Sequence, residues 1–244
     1  MMSDGGDMKI MSLAIALLAF VLMDTPAFAQ GFGGDTRNYT VRGFERIRID
    51  GPVRVELETG VPPYARAVGD QDAARNIDVR VNGETLVVSW SQSGRRGFRS
   101  EKNGPVTLKV GTRRIEQAWV NGAGQLDIDR VEIRKFGLSV VGAGGASIGE
   151  IEVDTLDVGV GGAANVTIAG EAKEATFVVR GMSVLEAMGI EVRDLTLGVE
   201  GPSFARVLAT GQLELDAIGA VDIEIEGGPA CTVRAQGPAR ITGC

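Results

Sequence analysis

The chain has 244 residues, 44% of them hydrophobic and 23% charged, with 25 basic against 32 acidic side chains and a formal net charge of −7. It contains no histidine, which removes the Ser-His-Asp and Cys-His systems of nucleophilic catalysis and any histidine-ligated metal site. The acidic balance argues against nucleic acid or anionic lipid as a general partner, and 35 glycines against eight prolines announce frequent tight bends.

Residues 1–29 read as a signal peptide. Met8-Lys9 opens a short positive region, residues 10–23 are almost wholly apolar, and Ala27-Phe28-Ala29 supplies the small-x-small pattern that signal peptidase cuts. The mature chain is therefore expected to begin at Gln30. The apolar run of about 14 residues falls short of the roughly 20 that span a bilayer. An uncleaved anchor is the alternative, and Met8 is a possible true start. Without residues 1–29, which hold Asp4, Asp7, Asp24 and Lys9, 24 basic and 29 acidic residues remain. No cysteine follows the cleavage site, so a lipid anchor there is excluded. The expected address is the periplasm or the cell surface, with no membrane span after cleavage.

Residues 30–38 are Gly-rich and expected to be flexible. Strand-like alternation follows over 44–49, 53–57, 64–68, 77–81 and 86–90, with one helical turn over 70–75 and a two-residue hairpin turn at Asn82-Gly83. Residues 91–103, which include Arg95, Arg96 and Arg99, read as a solvated loop and not as a binding patch; Arg113-Arg114 is read the same way. Segments 106–110 and 115–120 lead into a regular pattern. Gly51-Pro-Val and Gly104-Pro-Val echo the corners of that pattern, so 39–118 is taken as an irregular start to the same architecture. A separate N-terminal domain is the alternative, although no linker divides the chain.

From Gly122 the chain repeats. Gly122-Ala-Gly124, Gly142-Ala-Gly144, Gly161-Gly-Ala, Gly181-Met-Ser, Gly201-Pro-Ser, Gly219-Ala-Val and Gly237-Pro-Ala begin successive units, spaced 20, 19, 20, 20, 18 and 18 residues apart. Each unit carries two short segments apolar at every second position, such as Leu126/Ile128 and Leu138/Val140, then Val166/Ile168 and Phe177/Val179. That alternation marks half-buried strands, and a period near 20 without helical periodicity marks a solenoid. Each unit becomes one coil, with equivalent strands pairing in parallel about 4.8 Å apart, so six steps build a rod of about 29 Å. Glycine marks the corner because a tight bend needs positive φ and close backbone approach. The fold class is all-β, a β-solenoid filling 39–244, regular over 119–244.

The phrase Val140-Val-Gly-Ala-Gly-Gly-Ala-Ser-Ile-Gly149 imitates a dinucleotide-binding turn. A helix must then follow to aim its N-terminus at pyrophosphate, but residues 145–153 alternate as a strand, and the third glycine position holds Ser147. Calcium-binding glycine repeats need aspartates in successive coils. Asp127 fits, while Ser147 and Val166 occupy the next two positions. No cofactor and no metal are expected. The paired cysteines Cys231 and Cys244, close in sequence in an exported chain, are expected to form a disulfide over the last partial coil, worth about 3 kcal/mol.

The order of several motifs carries a resemblance. Phe44-Glu-Arg-Ile-Arg-Ile-Asp-Gly-Pro-Val-Arg-Val, Val68-Gly-Asp, Asn82-Gly-Glu-Thr-Leu and the serial Gly-Ala-Gly corners together resemble the bacterial putative auto-transporter adhesin, head GIN domain family. The resemblance covers about 39–244. It implies a right-handed, single-stranded parallel β-helix of pectin-lyase-like type and a role in adhesion. Departures begin at Gly161-Gly-Ala and Gly181-Met-Ser, where the Gly-x-Gly corner is lost.

The expected function is therefore a non-catalytic envelope protein presenting a rigid face to a protein or glycan. Of its two tryptophans, Trp119 is read as core or end cap rather than as a sugar platform, and Trp90 also precedes the coils. The alternative is a polysaccharide-cleaving enzyme, for which the outward pairs Glu214/Asp216 and Asp222/Glu224 are the candidates. Self-association through the solenoid ends is a third possibility, since stacked strands leave unpaired edges.

Overall fold

A computed structural model describes residues 35–91 and 104–244. The expected signal peptide with Ala27 and Ala29, the first part of the Gly-rich segment and all but Ser91 of the polar loop lie outside the described residues.

Within them the chain is a parallel β-solenoid of about six turns with a less regular N-terminal portion. β1 (Asp35–Tyr39), β2 (Arg46–Asp50), β3 (Arg54–Glu58), β4 (Tyr64–Gly69), α1 (Gln71–Arg75), β5 (Ile77–Asn82), β6 (Thr85–Trp90) and β7 (Val106–Gly111) make up that portion. β8 (Gln117–Gly122), β9 (Gln125–Gly142), β10 (Gly145–Gly162), β11 (Asn165–Gly181), β12 (Val184–Glu200), β13 (Phe204–Ile218), β14 (Asp222–Glu226), β15 (Ala230–Gln236) and β16 (Arg240–Thr242) form the coils.

The corner is where sequence chemistry decides the architecture. Gly122, Gly142, Gly162, Gly181, Gly201, Gly219 and Gly237 all adopt φ between +85° and +127°, the left-handed region that residues with a Cβ disfavour. At several of these positions the coil before also leaves no room, whereas at Gly122 and Gly219 the nearest atoms stand off at 3.6 and 3.5 Å. A Cβ added to Gly142 would lie 2.4 Å from the Gly122 carbonyl oxygen, and one on Gly162 would lie 2.5 Å from that of Gly142. The third corner thus falls on Gly162 and not on Gly161, around which a Cβ would meet nothing within 4 Å. Gly124 and Gly144 keep their places for a different reason: a Cβ at Gly144 would sit 2.3 Å from the Gly124 carbonyl.

Corner hydrogen bonds explain the later substitutions. Ala143, Ala163 and Met182 donate their backbone N–H to the glycine carbonyl of the coil before, at 2.8, 2.7 and 2.7 Å. Pro202 has no N–H to give. Ser203 Oγ supplies the missing donor, 2.8 Å from the Gly181 carbonyl, while Ser203 N–H closes its own corner on Gly201 at 2.8 Å. Both Ser183 and Ser203 are buried and hydrogen-bonded, as buried hydroxyls must be.

Between corners each coil turns twice more, so it has three faces where the sequence suggests two. In β9 the inward side chains are Leu126 and Ile128, then Val131, then Phe136, Leu138 and Val140. Two consecutive outward residues, 129–130 and 134–135, mark the breaks in alternation. The short middle face recurs as Ile151/Val153 in β10 and Ile190/Val192 in β12. Strict register stacks the inward residues in columns: Leu138, Val158, Phe177, Leu197 and Leu215 lie one above another.

The N-terminal portion is a cap interleaved with the first coil. β2 and β3, joined through the Gly51 corner, pair in parallel with β8 and β9 across a long excursion of chain. That excursion first adds β7 to β3 and β6 to β2 in parallel, then extends the first face antiparallel through β4 and β1 and the third face through β5. α1 packs against β1, β4 and β5, with Ala73 and Ala74 buried. Asp70 accepts from Ala73 N–H at 2.8 Å as its N-cap, and Tyr39 Oη donates to the Ala74 carbonyl at 3.0 Å. β1 claims 35–38 from the segment expected to be flexible. The hairpin turn falls on Gly83-Glu84, one residue later than expected. Gly104 is no corner of the stack, since its neighbour Pro105 instead accepts from Asp70 N–H on the edge of β4 and β7.

The corner geometry separates two adjacent glycines. Gly162→Ala should cost about 3 kcal/mol, from the φ penalty and the carbonyl clash combined, while Gly161→Ala should stay within about 0.5 kcal/mol of the parent chain. Urea unfolding of both variants checks this.

Candidate functional site

Register turns outward residues into rows as surely as it turns inward ones into columns. On the third face Trp119, Ser139, Gly159, Val178 and Gly198 form one row, and Gln117, Gly137, Asp157, Thr176 and Thr196 the next. Trp119 lies between the fully buried Ala118 and Val120, so alternation turns its indole outward. It is neither core nor end cap. A shallow groove of about 560 Å³ on this face is lined by Gln117, Gly137, Ser139, Gly159, Thr176 and Val178 and also by the charged Glu116, Arg134, Lys135 and Asp157. Within these stretches the one charge, Asp157, is paired with Lys135 at 2.9 Å, and the same rows run on into Arg46 and Arg48 beside Gln117 and Trp119 and into Glu214 and Asp216 beyond Thr196 and Gly198. Between those charged ends the face is built mostly of small residues, with Val141 53% exposed at its flank.

The second face is its opposite. Glu132, Glu152, Glu171 and Glu191 stack in register, and Arg134, Lys173 and Arg193 stand alongside them in a second trough of about 540 Å³. Asp154 interrupts the basic group and is held by a hydrogen bond and the charge of Lys173, which lower its carboxyl below the usual aspartate range. Among the described residues no three His, Cys, Asp or Glu side chains converge in a way that could hold a metal ion.

The candidate catalytic carboxylates do not converge. Glu214 and Asp216 lie on the third face, where Arg234 reaches both at 2.9 and 3.5 Å. Asp222 and Glu224 lie on the first face, Glu224 bound to Arg206 at 2.8 Å and Asp222 4.0 Å from Arg240. Arg206 also reaches Glu186 at 3.4 Å, and its hydrogen bond to the accepting Glu224 carboxylate raises its pKa above the ordinary arginine value. Two exposed pairs on different faces, each answered by an arginine, are the pattern of a solvated sheet surface. Trp90 is partly buried against the core at the N-terminal end. Cys231 and Cys244 form the expected disulfide, joining Cα atoms 5.8 Å apart.

Residues 43–229 match the model of the family described as putative auto-transporter adhesin, head GIN domain. The chain belongs to that family. This head GIN chain also resembles solved structures. A putative adhesin from Bacteroides fragilis NCTC 9343 is 20% identical with a TM-score of 0.75, covering 84% of this chain and 94% of its own. A putative lipid binding protein from Parabacteroides distasonis ATCC 8503 is 18% identical with a TM-score of 0.68, over 86% and 96% of the two chains. A putative adhesin from Parabacteroides merdae ATCC 43184 is 16% identical with a TM-score of 0.67, over 86% and 96%. At such identities the likeness shows a shared fold. No curated protein matches at a significant level. An adhesin family points to a surface or extracellular protein, and no helix among the described residues is long and apolar enough to cross a membrane.

The head GIN chain's second face offers a titration test. Because Lys173 depresses the Asp154 pKa, the pair's contribution is present above the ordinary carboxylate pKa and disappears as pH falls through the lowered one. Lys173→Met should move the Asp154 titration upward, read by NMR of the carboxyl carbon.

Proposed function

We propose that the chain is an exported, non-catalytic envelope protein that uses its third face to bind an uncharged polysaccharide. One observation carries this reading: the uncharged stretch of outward row formed by Trp119, Ser139, Gly159, Val178 and Gly198, lying between Arg48 and Asp216, with the indole at its Arg48 end. A sugar ring presents an apolar C–H face and a polar rim. An indole with apolar body and N–H handle suits the first, while Gln117, Ser139 and Thr176 offer hydroxyl and amide partners to the second. A glycine-paved sheet lets a chain of rings lie close to the backbone without side chains to displace. The rows are already set by the solenoid, so little order is lost on binding.

Export is supported by the signal-peptide pattern of residues 1–29 and by the Cys231–Cys244 disulfide, a bond that persists in oxidising compartments. The adhesin family supports a binding role at the surface. Against hydrolysis stand the two carboxylate pairs, which face different directions and are both tied to arginines.

The test is binding of the purified chain to a glycan array and to isolated envelopes. Saturable binding to a neutral polysaccharide should weaken roughly tenfold or more in Trp119→Ala, with the melting temperature unchanged because the indole is outward. Undiminished binding by Trp119→Ala would remove the third face from the account. Release of reducing ends, abolished by Glu214→Gln, would replace binding with catalysis.

A further inference from the structure

The strand glycines fall into two groups, those the backbone requires and those it does not. Corner glycines need their positive φ. Between faces, a Cβ on Gly149 or Gly211 would lie 2.8 or 2.7 Å from a backbone carbonyl oxygen of the coil before. Gly137, Gly159, Gly161 and Gly198 escape both constraints. None has a positive φ. A Cβ would stand 3.4 Å from Gln117 Cγ at Gly137, 4.0 Å from Ser139 Oγ at Gly159 and 4.0 Å from the Phe177 carbonyl oxygen at Gly198, and would meet nothing within 4 Å at Gly161. Among the described residues these are the strand glycines with room for a side chain, and all four lie outward on the third face. Glycine inside a strand forfeits packing and costs entropy, and it marks places where a ligand comes close to the backbone. The stack has no need of these four, so their use lies outside it.

They pave a strip with defined edges. Its floor is the row from Trp119 to Gly198. The row on one side offers Gln117, Thr176 and Thr196, and the row on the other Asn121, Arg180 and Glu200. Charges on these rims are answered within the protein, Asp157 by Lys135 at 2.9 Å and Arg180 by Glu200 at 3.3 Å. At the two ends stand Arg48, paired with Asp50 at 3.0 Å, and Asp216, 3.5 Å from Arg234.

Resting on the third-face reading, we propose that this strip takes a single unbranched chain of equatorially linked pyranose rings, running along the solenoid axis. Equatorial linkages make a flat ribbon, with C–H faces above and below and hydroxyls directed sideways. The C–H face meets the glycine floor and the indole, and the hydroxyls meet the polar rims. Each ring of such a ribbon advances by slightly more than one strand spacing of about 4.8 Å, so rings stay nearly in step with coils. The four steps from Trp119 to Gly198 span about 19 Å, which sets the site at about four or five rings. Across the strands the face gives out at the corner, so only the axial direction offers that length. An axially linked chain coils away from the floor after its first rings.

Titration calorimetry of the purified chain with β-1,4-linked oligomers of glucose and of N-acetylglucosamine, dimer to octamer, tests this against α-1,4-linked glucose oligomers of the same lengths. Affinity should rise with length in a β-linked series and level off at about four or five rings, with the α-linked series at least roughly tenfold weaker. Gly159→Val and Gly198→Val should each weaken the best oligomer roughly tenfold or more, with a melting temperature unchanged or raised, because strands favour β-branched residues. A fall in melting temperature in either variant would return that glycine to the fold and overturn the proposal. No binding by either β-linked series would overturn it together with the neutral-polysaccharide reading. Trp119-dependent binding that ignores chain length, extends equally to the α-linked series or survives both valines would overturn this proposal alone.

Discussion

Everything in this molecule follows from how closely one backbone passes over another at the glycine corner. A parallel strand spacing of about 4.8 Å leaves no room for a Cβ between the carbonyl of one corner and the α-carbon of the next. The distances at Gly142 and Gly162 express that exclusion directly. Once the corners are superposed, the number of residues between them decides which side chains stack. Coils of near-equal length then yield columns inside and rows outside, interrupted only where the register shifts around the second face. Even the variations obey it. Where proline takes the corner's second position and its N–H is lost, a serine hydroxyl takes over the orphaned carbonyl.

Rows give such a surface an unusual property: chemistry placed once is repeated at every coil. A glutamate on the second face becomes four glutamates, balanced by the basic residues beside them. A glycine or serine on the third face becomes a smooth strip. The same regularity spreads like groups along a line instead of gathering unlike groups at one point. In the proposed reading, recognition is spread along a line and suits an extended partner. Among the described residues the repetition stops at the two ends, and the N-terminal one carries α1 against β1, β4 and β5.

Much of the fold was legible in the sequence because its two governing signals are local: glycines at a near-constant interval and apolar residues at alternate positions. The disulfide was readable from cysteine position and compartment. The middle face was not, because Val131 and Ile133 or Ile190 and Val192 make a segment too short to show a period of its own. Gly161 and Gly162 are adjacent, and only the stack above decides which of them bends. The pairing of β2 with β8 escaped for a different reason, since an excursion through β4 to β7 separates partners that no local pattern connects. At the site, Trp119 looked like core by size alone, whereas alternation with Ala118 and Val120 already placed it outside. The two carboxylate pairs looked close in sequence, but the Gly219 corner between them turns one onto the third face and the other onto the first.

The account rests on coils being equivalent, interchangeable layers set by their corners. Its most direct test is to excise one whole layer, residues 143–162, so that Gly142 runs into Ala163, and to compare this with removal of residues 143–152 only. Circular dichroism and denaturant unfolding should show the whole-coil deletion still folded, β-rich and cooperative with a reduced m-value, as a shorter stack requires, and the half-coil deletion unfolded. Equal damage from both deletions, or a folded half-coil variant, would contradict the claim that glycine corners set the register of the stack.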